Sequence, residues 1–347
     1  MAPEPATLVA LMVAGLAFAV GLAPTRQQQR RLVIRGTTGL AGAAMVALAP
    51  TLILAIPVLV GLGVLHASVG GRSKFTVRLR PIAMAAGLLA LALLFAGVAG
   101  PDVLQRFAAI GAVAGLAAAI GVVPYLHELD PDVPASASPI AWLAFIGPLL
   151  ASVAVLRVEQ VLTVDADGVL GATLIGLGLL NLVWGSISAW RTETDIEAWR
   201  YSFVADWGLA LCGFGLAAGD GRSAAVLILF TILLGRLPLY LVWQQSVHEK
   251  VPTERPINLV VAGLLAGSAP FAGFAGRILL LRGATQIYWP LAMAIAIGLL
   301  LWLPGSLRLG RSIGLPRARQ AVLVAIVIAL NVTAGLYPLP ILSAAGY

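Results

Sequence analysis

The chain has 347 residues, of which 60% are hydrophobic and only 11% charged, and its mean hydropathy is +0.98. Soluble domains are typically about 45–50% apolar and about 25% charged. The composition therefore excludes a soluble enzyme, a disordered protein and a disulfide scaffold. All of the 22 basic residues except Lys74 and Lys250 are arginines. Many of them flank apolar runs, so the net charge of +7 indicates membrane orientation rather than nucleic-acid binding.

Apolar runs long enough to cross a bilayer as helices recur along the whole chain. In chain order they lie at 6–23, 39–66, 82–99, 107–125, 139–156, 168–190, 203–219, 223–243, 257–281, 286–304 and 320–341. The alternating segments of about ten residues that are typical of a membrane barrel are absent. We predict an all-α polytopic membrane protein with about 10–12 crossings. The first run lacks a preceding basic region and is interpreted as a retained helix, not a cleaved signal.

Two of the apolar runs contain features that interrupt helices. The run 39–66 is long for one crossing and includes Pro50 and Pro57, so it is tilted, kinked or broken. The run 257–281 contains several glycines and Pro270 at its centre. A break there exposes backbone groups, which a membrane tolerates only against protein or a wet cavity. We predict a broken helix near 266–277, with two short crossings as the favoured interpretation.

The polar connections are short and mostly basic. Basic loops are predicted at 24–37, 67–80 and 305–319, and an acidic loop at 126–138. The positive-inside rule cannot place the first two basic loops on the same side if one span separates them. The first and third can both be cytoplasmic if 257–281 holds two crossings.

No sequence motif indicates a cofactor or metal site. A Walker loop, a dinucleotide fingerprint and a histidine–carboxylate pair at metal-ligand spacing are all missing. The lone Cys212 lies in an apolar run and is interpreted as a core residue. We expect no catalytic residues, cofactor or metal in this chain, so that any redox chemistry belongs to a partner.

Four stretches, in the same order as in the family, resemble the antiporter-like subunits of respiratory complex I (NADH-quinone oxidoreductase), Mrp-type cation/proton antiporters and membrane-bound hydrogenases. Residues 123–132 read Val-Pro-Tyr-Leu-His-Glu-Leu-Asp-Pro-Asp and are followed by Ser-Pro-Ile at 138–140; they are similar to the family's V-P-F-H-x-W-L-P-D-A and P-T-P-V. Residues 185–208 match a second family pattern without a gap. Residues 265–279 resemble L-A-G-x-P-P-x-A-G-F-x-G-K, and 335–340 read Gly-Leu-Tyr-Pro-Leu-Pro. The resemblance covers about 105–341 and implies a shortened, divergent member, in which 1–104 matches only as apolar helices.

The resemblance implies an antiporter-like fold and a line of ionisable residues at mid-membrane that relays protons. Most relay positions are apolar here: the family's lysines fall at Leu149 or Leu150, at Ile196 beside Glu197, and within 116–120. The last relay position carries Arg277 where the family has Lys or Glu. Because arginine is effectively never deprotonated in proteins, it can hold an electrostatic place but cannot pass a proton on.

Two further charges lie inside predicted spans and are expected to pair. Asp206 and Arg236 are each about fourteen residues from a predicted turn at 220–222, so a helical hairpin places them at similar depth. Three roles remain open for these two residues: a structural ion pair, a contribution to an ion or water path, and an interface with another subunit. For Arg277, a functional role or a contact with another subunit is equally open.

Other polar residues receive simpler interpretations. His127 and the acids that follow it are interpreted as a solvated loop, with bracing of a broken helix as the alternative. The charges between Arg191 and Glu197 are interpreted as an exposed turn, and most tryptophans as interfacial anchors. The candidates for an ion path or for coupling are Arg277, Asp206, Arg236, Glu197 and His127.

These features favour a membrane-arm subunit of a redox-linked multisubunit complex that has a structural or coupling role. The expected partners are other membrane and redox subunits and the lipid bilayer, with any quinone handled by a partner subunit and no nucleic acid. The expected location is the inner (plasma) membrane of a bacterium. An active proton or cation translocator that uses Asp206, Glu197 and Arg277, and a standalone secondary transporter, remain alternatives.

Overall fold

The computed structural model describes residues 3–23, 26–48, 52–68, 72–97, 102–127, 147–216, 219–245, 255–314 and 318–347. These residues form helices and their connections, with no strand among them. The helices are α1 (Pro3–Leu22), α2 (Arg26–Leu48), a 3₁₀ turn (Leu52–Leu54), α3 (Ala55–Ser68), α4 (Arg72–Gly97), α5 (Asp102–Ile120), α6 (Gly147–Glu159), α7 (Val164–Arg191), α8 (Asp195–Gly215), α9 (Gly219–Thr231), a π-helical turn (Ile232–Arg236), α10 (Leu237–Gln245), α11 (Pro256–Ala266), α12 (Ala272–Ile287), α13 (Trp289–Ser312), α14 (Ala318–Leu336) and α15 (Leu339–Ala345).

Five helices in the described part of the chain are long and apolar enough to cross a membrane. They are Phe75–Gly97, Asp102–Ile120, Val164–Arg191, Asp220–Gln245 and Trp289–Ser312. Shorter apolar helices lie at Ala6–Leu22, Leu32–Leu48, Ala55–Ser68, Pro256–Ala266 and Gln320–Leu336. The all-α membrane fold that the composition predicts is confirmed.

The predicted basic loops are largely helical, which corrects the sequence interpretation. α2 begins at Arg26, α4 at Arg72, and α13 continues to Ser312. Arginine has a high helix propensity, and its long side chain can reach the interface from inside a helix. The charged ends of these helices therefore extend past their apolar runs.

The chain forms two compact units: Met1–Val13 with Arg30–Leu174, and Ala14–Gln29 with Ile175–Tyr347. In the first unit, α4 packs on α3 and on α5, and α5 also packs on α6. The buried face of α5 is rich in alanine, including Ala108 and Ala112. Small residues let membrane helices approach closely. The predicted division at 104/105 concerns correspondence with the family and stays a prediction.

The second unit is built around α8 and the continuous α9–π–α10 segment, whose residues are almost all buried. α8 packs on α9, α9 packs on α12, and α11 packs on α13. α8 begins at Asp195 and not at residue 203 as the apolar run suggests, because Asp195 and Glu197 lie in its first turn. Acidic residues stabilise helix N-termini. The predicted exposed turn is therefore limited to residues 192–194.

Arg308 of α13 joins three elements of the second unit. Its guanidinium donates to the carbonyl oxygens of Trp190 (3.2 Å) and Thr192 at the C-terminal end of α7. It also lies 3.1 Å from an Asp195 carboxylate oxygen at the start of α8. A cation at a helix C-terminus interacts favourably with the helix dipole and with carbonyls that lack helical partners. Arg308 therefore fixes the α7–α8 connection against α13.

Replacing this arginine is expected to destabilise the second unit. Arg308→Gln should lower the unfolding free energy by about 2 kcal/mol, since charge-assisted hydrogen bonds are lost at a partly buried site. Thermal unfolding of the detergent-solubilised protein measures the change. Arg282→Gln is the matched control: Arg282 pairs with Asp220 at 3.1 Å but is 66% exposed, so at most about 1 kcal/mol is expected. Equal losses in the two variants would contradict this role for Arg308.

Candidate functional site

The predicted helix break exists between α11 and α12. α11 ends at Ala266, and Gly267 adopts the left-handed conformation with φ of 59°. The connection then runs through Pro270 to Phe271, which precedes the first residue of α12. An L-residue with a side chain rarely adopts such a φ, and proline weakens a helix because it has no amide hydrogen to donate. The glycine and proline that suggest a break in the sequence are therefore its physical cause.

Asp206 and Arg236 form the ion pair that their equal depth predicts. The Arg236 Nε lies 2.6 Å from Asp206 Oδ2, and the two residues are 1% and 3% exposed. Arg277 of α12 also approaches Asp206, with 3.9 Å between its Nη2 and Oδ1. The structure thus brings together three of the five candidate residues, from α8, the π-helical turn and α12. We call this group the charge cluster.

The π-helical turn places Arg236 in the charge cluster. Pro238 follows two residues later and has no amide hydrogen to donate to the Leu234 carbonyl, its normal helical partner. The Asn331 side chain of α14 donates to that carbonyl instead, at 2.9 Å. The Leu237 amide bonds the Ile232 carbonyl, five residues back. π-turns of this kind occur frequently at functional sites, and here the turn carries a buried arginine.

The end of α11 supplies the charge cluster with a backbone acceptor. The Leu265 carbonyl accepts hydrogen bonds from Arg236 Nη2 at 3.1 Å and from the Trp302 indole at 2.9 Å. The Trp302 ring also lies under the Arg236 guanidinium, 4.8 Å from ring centroid to Cζ. The C-terminal end of a helix carries partial negative charge, so the break itself contributes to holding Arg236.

Arg277 lies against the backbone of the break. A Cβ atom added at Gly267 would sit 2.7 Å from Arg277 Nη1 and 2.8 Å from Nε. The close approach of the guanidinium therefore depends on the absence of a side chain at residue 267. Arg277 itself is 9% exposed.

Glu197 and His127 lie outside the charge cluster. Glu197 is partly exposed in the first turn of α8, about 13 Å along the helix from Asp206. His127 belongs to the first unit and is buried, and its Nε2 lies 3.0 Å from the Ala118 carbonyl near the end of α5. The interpretation of His127 as part of a solvated loop is wrong: the ring braces the end of α5. The acids after it, and the Ser-Pro-Ile motif, lie outside the described residues.

Trp199 and Trp207 are also not interfacial anchors. Both are fully buried, and Trp199 packs against Tyr240 and Trp243, with ring centroids 5.8 and 6.1 Å apart. Trp184 and Trp190 are half exposed, as lipid-facing positions require. Because an indole is amphipathic, it suits both a buried site and the membrane interface. A position near the end of a span therefore does not show whether a tryptophan is buried or faces lipid.

Sequence reasoning missed two polar residues of this site. Asn331 is fully buried in α14, and an amide in the middle of an apolar run is a signal that could have identified it. Trp302 had no distinguishing signal, because its role depends on the position of the Leu265 carbonyl. Among the described residues, no group of three or more His, Cys, Asp or Glu side chains could hold a metal ion.

Comparisons with known proteins agree with this fold. No family model matches the chain. NADH-quinone oxidoreductase subunit N of Granulibacter bethesdensis is 26% identical over 203 residues, which cover 53% of this chain and 42% of that protein. NAD(P)H-quinone oxidoreductase chain 4 2 of Thermosynechococcus vestitus is 29% identical over 129 residues, or 37% of this chain and 24% of that protein. The matches thus span less than half the length of these curated relatives.

Solved structures share the architecture at low sequence identity. A chain of the Mrp complex from Dietzia sp. DQ12-45-1b superposes with a TM-score of 0.78 at 14% identity, over 99% of this chain and 44% of its own. A chain of Thermus thermophilus respiratory complex I superposes with a TM-score of 0.70 at 18% identity, over 99% of this chain and 86% of its own. A chain of an archaeal membrane-bound sulfane sulfur reductase superposes with a TM-score of 0.75 at 16% identity, over 97% of this chain and 65% of its own. The resemblance to antiporter-like subunits that the sequence motifs indicate is confirmed, and the chain is a membrane protein with the fold of those subunits.

Proposed function

We propose that this chain is a membrane-arm subunit of a redox-linked multisubunit complex, in which it completes and couples the membrane arm without being an autonomous pump. Its proposed location is the inner (plasma) membrane of a bacterium. The observation that carries the proposal is the charge cluster, in which a single buried carboxylate is held by one arginine and approached by a second. The similarity to quinone oxidoreductase subunits supports membership of such a complex.

A proton relay needs groups that gain and lose protons in turn. Two of the three charged groups in the cluster are arginines, which stay protonated. Asp206 is engaged by Arg236 at 2.6 Å, so carrying a proton would first require breaking a buried ion pair, at a cost of several kcal/mol. This geometry therefore agrees better with a structural pair that fixes α8 against the π-helical turn than with a group that relays protons.

The proposed partners are other membrane and redox subunits, with any quinone handled by one of them. Purification of the chain in mild detergent tests this assignment, and iron–sulfur or hydrogenase-like proteins are expected to co-purify. Isolation of a lone, active transporter would overturn it and favour the standalone secondary transporter.

The proposal that this ion pair is structural and carries no protons is tested in the intact complex by removing both charges of the pair. In the double variant Asp206→Asn/Arg236→Gln the net charge of the cluster is unchanged, so assembly is expected. Proton flux coupled to electron transfer in proteoliposomes should then stay within about twofold of wild type, a difference below about 0.5 kcal/mol. Glu197→Gln should behave in the same way. The double variant Asp220→Asn/Arg282→Gln, whose wild-type side chains are 23% and 66% exposed, serves as the control. An assembled complex with normal electron transfer and abolished flux would establish the translocator alternative.

A further inference from the structure

The charge cluster has an unbalanced formal charge. One carboxylate, that of Asp206, faces the guanidinium groups of Arg236 and Arg277, and all three residues are at most 9% exposed. Arginine does not neutralise itself by losing a proton, and an isolated buried charge is very costly. The described part of the cluster therefore carries one positive charge that needs a negative counterpart.

The cluster also has unused hydrogen-bond donors. Arg236 donates through Nε and Nη2, but its Nη1 is fully buried and has no hydrogen-bond partner among the described residues. The nearest carboxylate oxygen to Arg277 Nη2 lies at 3.9 Å, beyond hydrogen-bonding distance. Within the described chain the Arg277 guanidinium donates no hydrogen bond. The missing counterpart is therefore a hydrogen-bond acceptor.

The start of α12 adds positive potential at the same place. α12 has 16 residues, and its N-cap residue Phe271 forms no side-chain cap. Its first turn lies close to the break, because a Cβ at Gly273 would be 2.9 Å from the Gly267 Cα, and Gly267 in turn contacts Arg277. Unsatisfied amide groups at a helix N-terminus bind anions. The first turn of α12 and the guanidinium of Arg277 therefore both lie close to Gly267.

We propose that a small monovalent inorganic anion such as chloride binds between Arg277, Arg236 Nη1 and the N-terminus of α12. A charge of −1 balances the cluster, and a halide accepts hydrogen bonds from several donors at once. The Arg277 side chain is only 10% exposed, which favours a small free ion over a bulkier carboxylate. The site requires no proton transfer and is independent of the role proposed above.

Chloride binding is tested by thermal unfolding of the full-length protein in detergent. Sodium chloride replaces sodium gluconate at constant ionic strength, and we expect a saturable rise in Tm of about 3 °C, as for a ligand that binds only the folded state. The rise should disappear in Arg277→Gln and persist in Arg282→Gln, whose arginine lies on the same helix but is 66% exposed. A rise that persists in Arg277→Gln, or no rise in the wild type, would overturn the site.

A direct measurement keeps the proposal testable if Arg277→Gln does not fold. Crystals of the wild-type protein or its complex grown in sodium bromide should show an anomalous peak within hydrogen-bonding distance of the Arg277 guanidinium. If the guanidinium is ordered without an anomalous peak beside it, and water or a carboxylate of another subunit contacts it instead, the proposed anion site is refuted.

Discussion

Asp206→Asn is expected to lower the free energy of unfolding by about 3–5 kcal/mol, because it leaves a buried arginine without its counter-ion. The wild-type pair is 2.6 Å long and almost completely excluded from solvent. After the substitution the charge cluster carries two positive charges and no negative one. Thermal or denaturant unfolding of the purified protein in detergent measures the loss.

The double variant Asp206→Asn/Arg236→Gln provides the control for this prediction. It restores the net charge of the cluster, and two amide side chains can still form a hydrogen bond, so most of the stability should return. Asp220→Asn, which removes the carboxylate partner of the 66% exposed Arg282, should cost at most about 1 kcal/mol. A double variant that is as unstable as Asp206→Asn would show that the pair itself does not hold α8 to the π-helical turn.

Gly335→Ala is expected to destabilise the second unit by about 3 kcal/mol through overpacking. A Cβ at this position of α14 would overlap the Pro270 carbonyl oxygen and sit 2.7 Å from the carbonyl oxygen of Phe271. Both partners are backbone atoms of the helix break, so neither can rotate away as a side chain could. The added methyl group must displace either α14 or the break, and thermal unfolding reports the cost.

Gly176→Ala is the matched control for the alanine substitution. Gly176 is a helical glycine of the same unit, and nothing lies within 4 Å of the Cβ that the substitution adds. Alanine is favoured over glycine in a helix by up to about 1 kcal/mol, so the control should be neutral or slightly stabilising. A loss of stability in Gly176→Ala similar to that in Gly335→Ala would rule out the specific contact with the break.

The helix break shows how much of the fold is readable from local chemistry. Gly267, with its left-handed φ, and Pro270 interrupt this helix through their own backbone restrictions, whereas Pro304 lies inside the continuous helix α13. The ends of α8 and α13 were less predictable, since charged residues such as Asp195 and Arg308 continue the helices beyond the apolar runs. Hydropathy detects the membrane core, whereas helix length also depends on caps and on tertiary contacts.

The charged residues of the candidate site were predictable from the sequence, whereas its hydrogen bonds to backbone carbonyls were not. A charge inside an apolar run must find a partner, and helical spacing placed Asp206 opposite Arg236. The amide of Asn331 bonds a carbonyl that Pro238 leaves without its helical donor, which requires knowing that α14 lies beside the π-helical turn. His127 was misassigned for the same reason, because its acceptor near the end of α5 is a backbone atom.

The sequence by itself determined that this is an all-helical membrane protein, and it predicted a broken helix and an internal Asp206–Arg236 pair. Those features follow from hydropathy, from the stereochemistry of glycine and proline, and from the cost of an unpaired charge in a bilayer. Only the tertiary structure decided that Arg277 joins the pair and that the Leu265 carbonyl and Trp302 hold Arg236. It also decided that the cluster contains a hydrogen-bond donor without a partner among the described residues. These contacts join five separate helical elements, and their distances depend on how the helices pack, which no local pattern encodes.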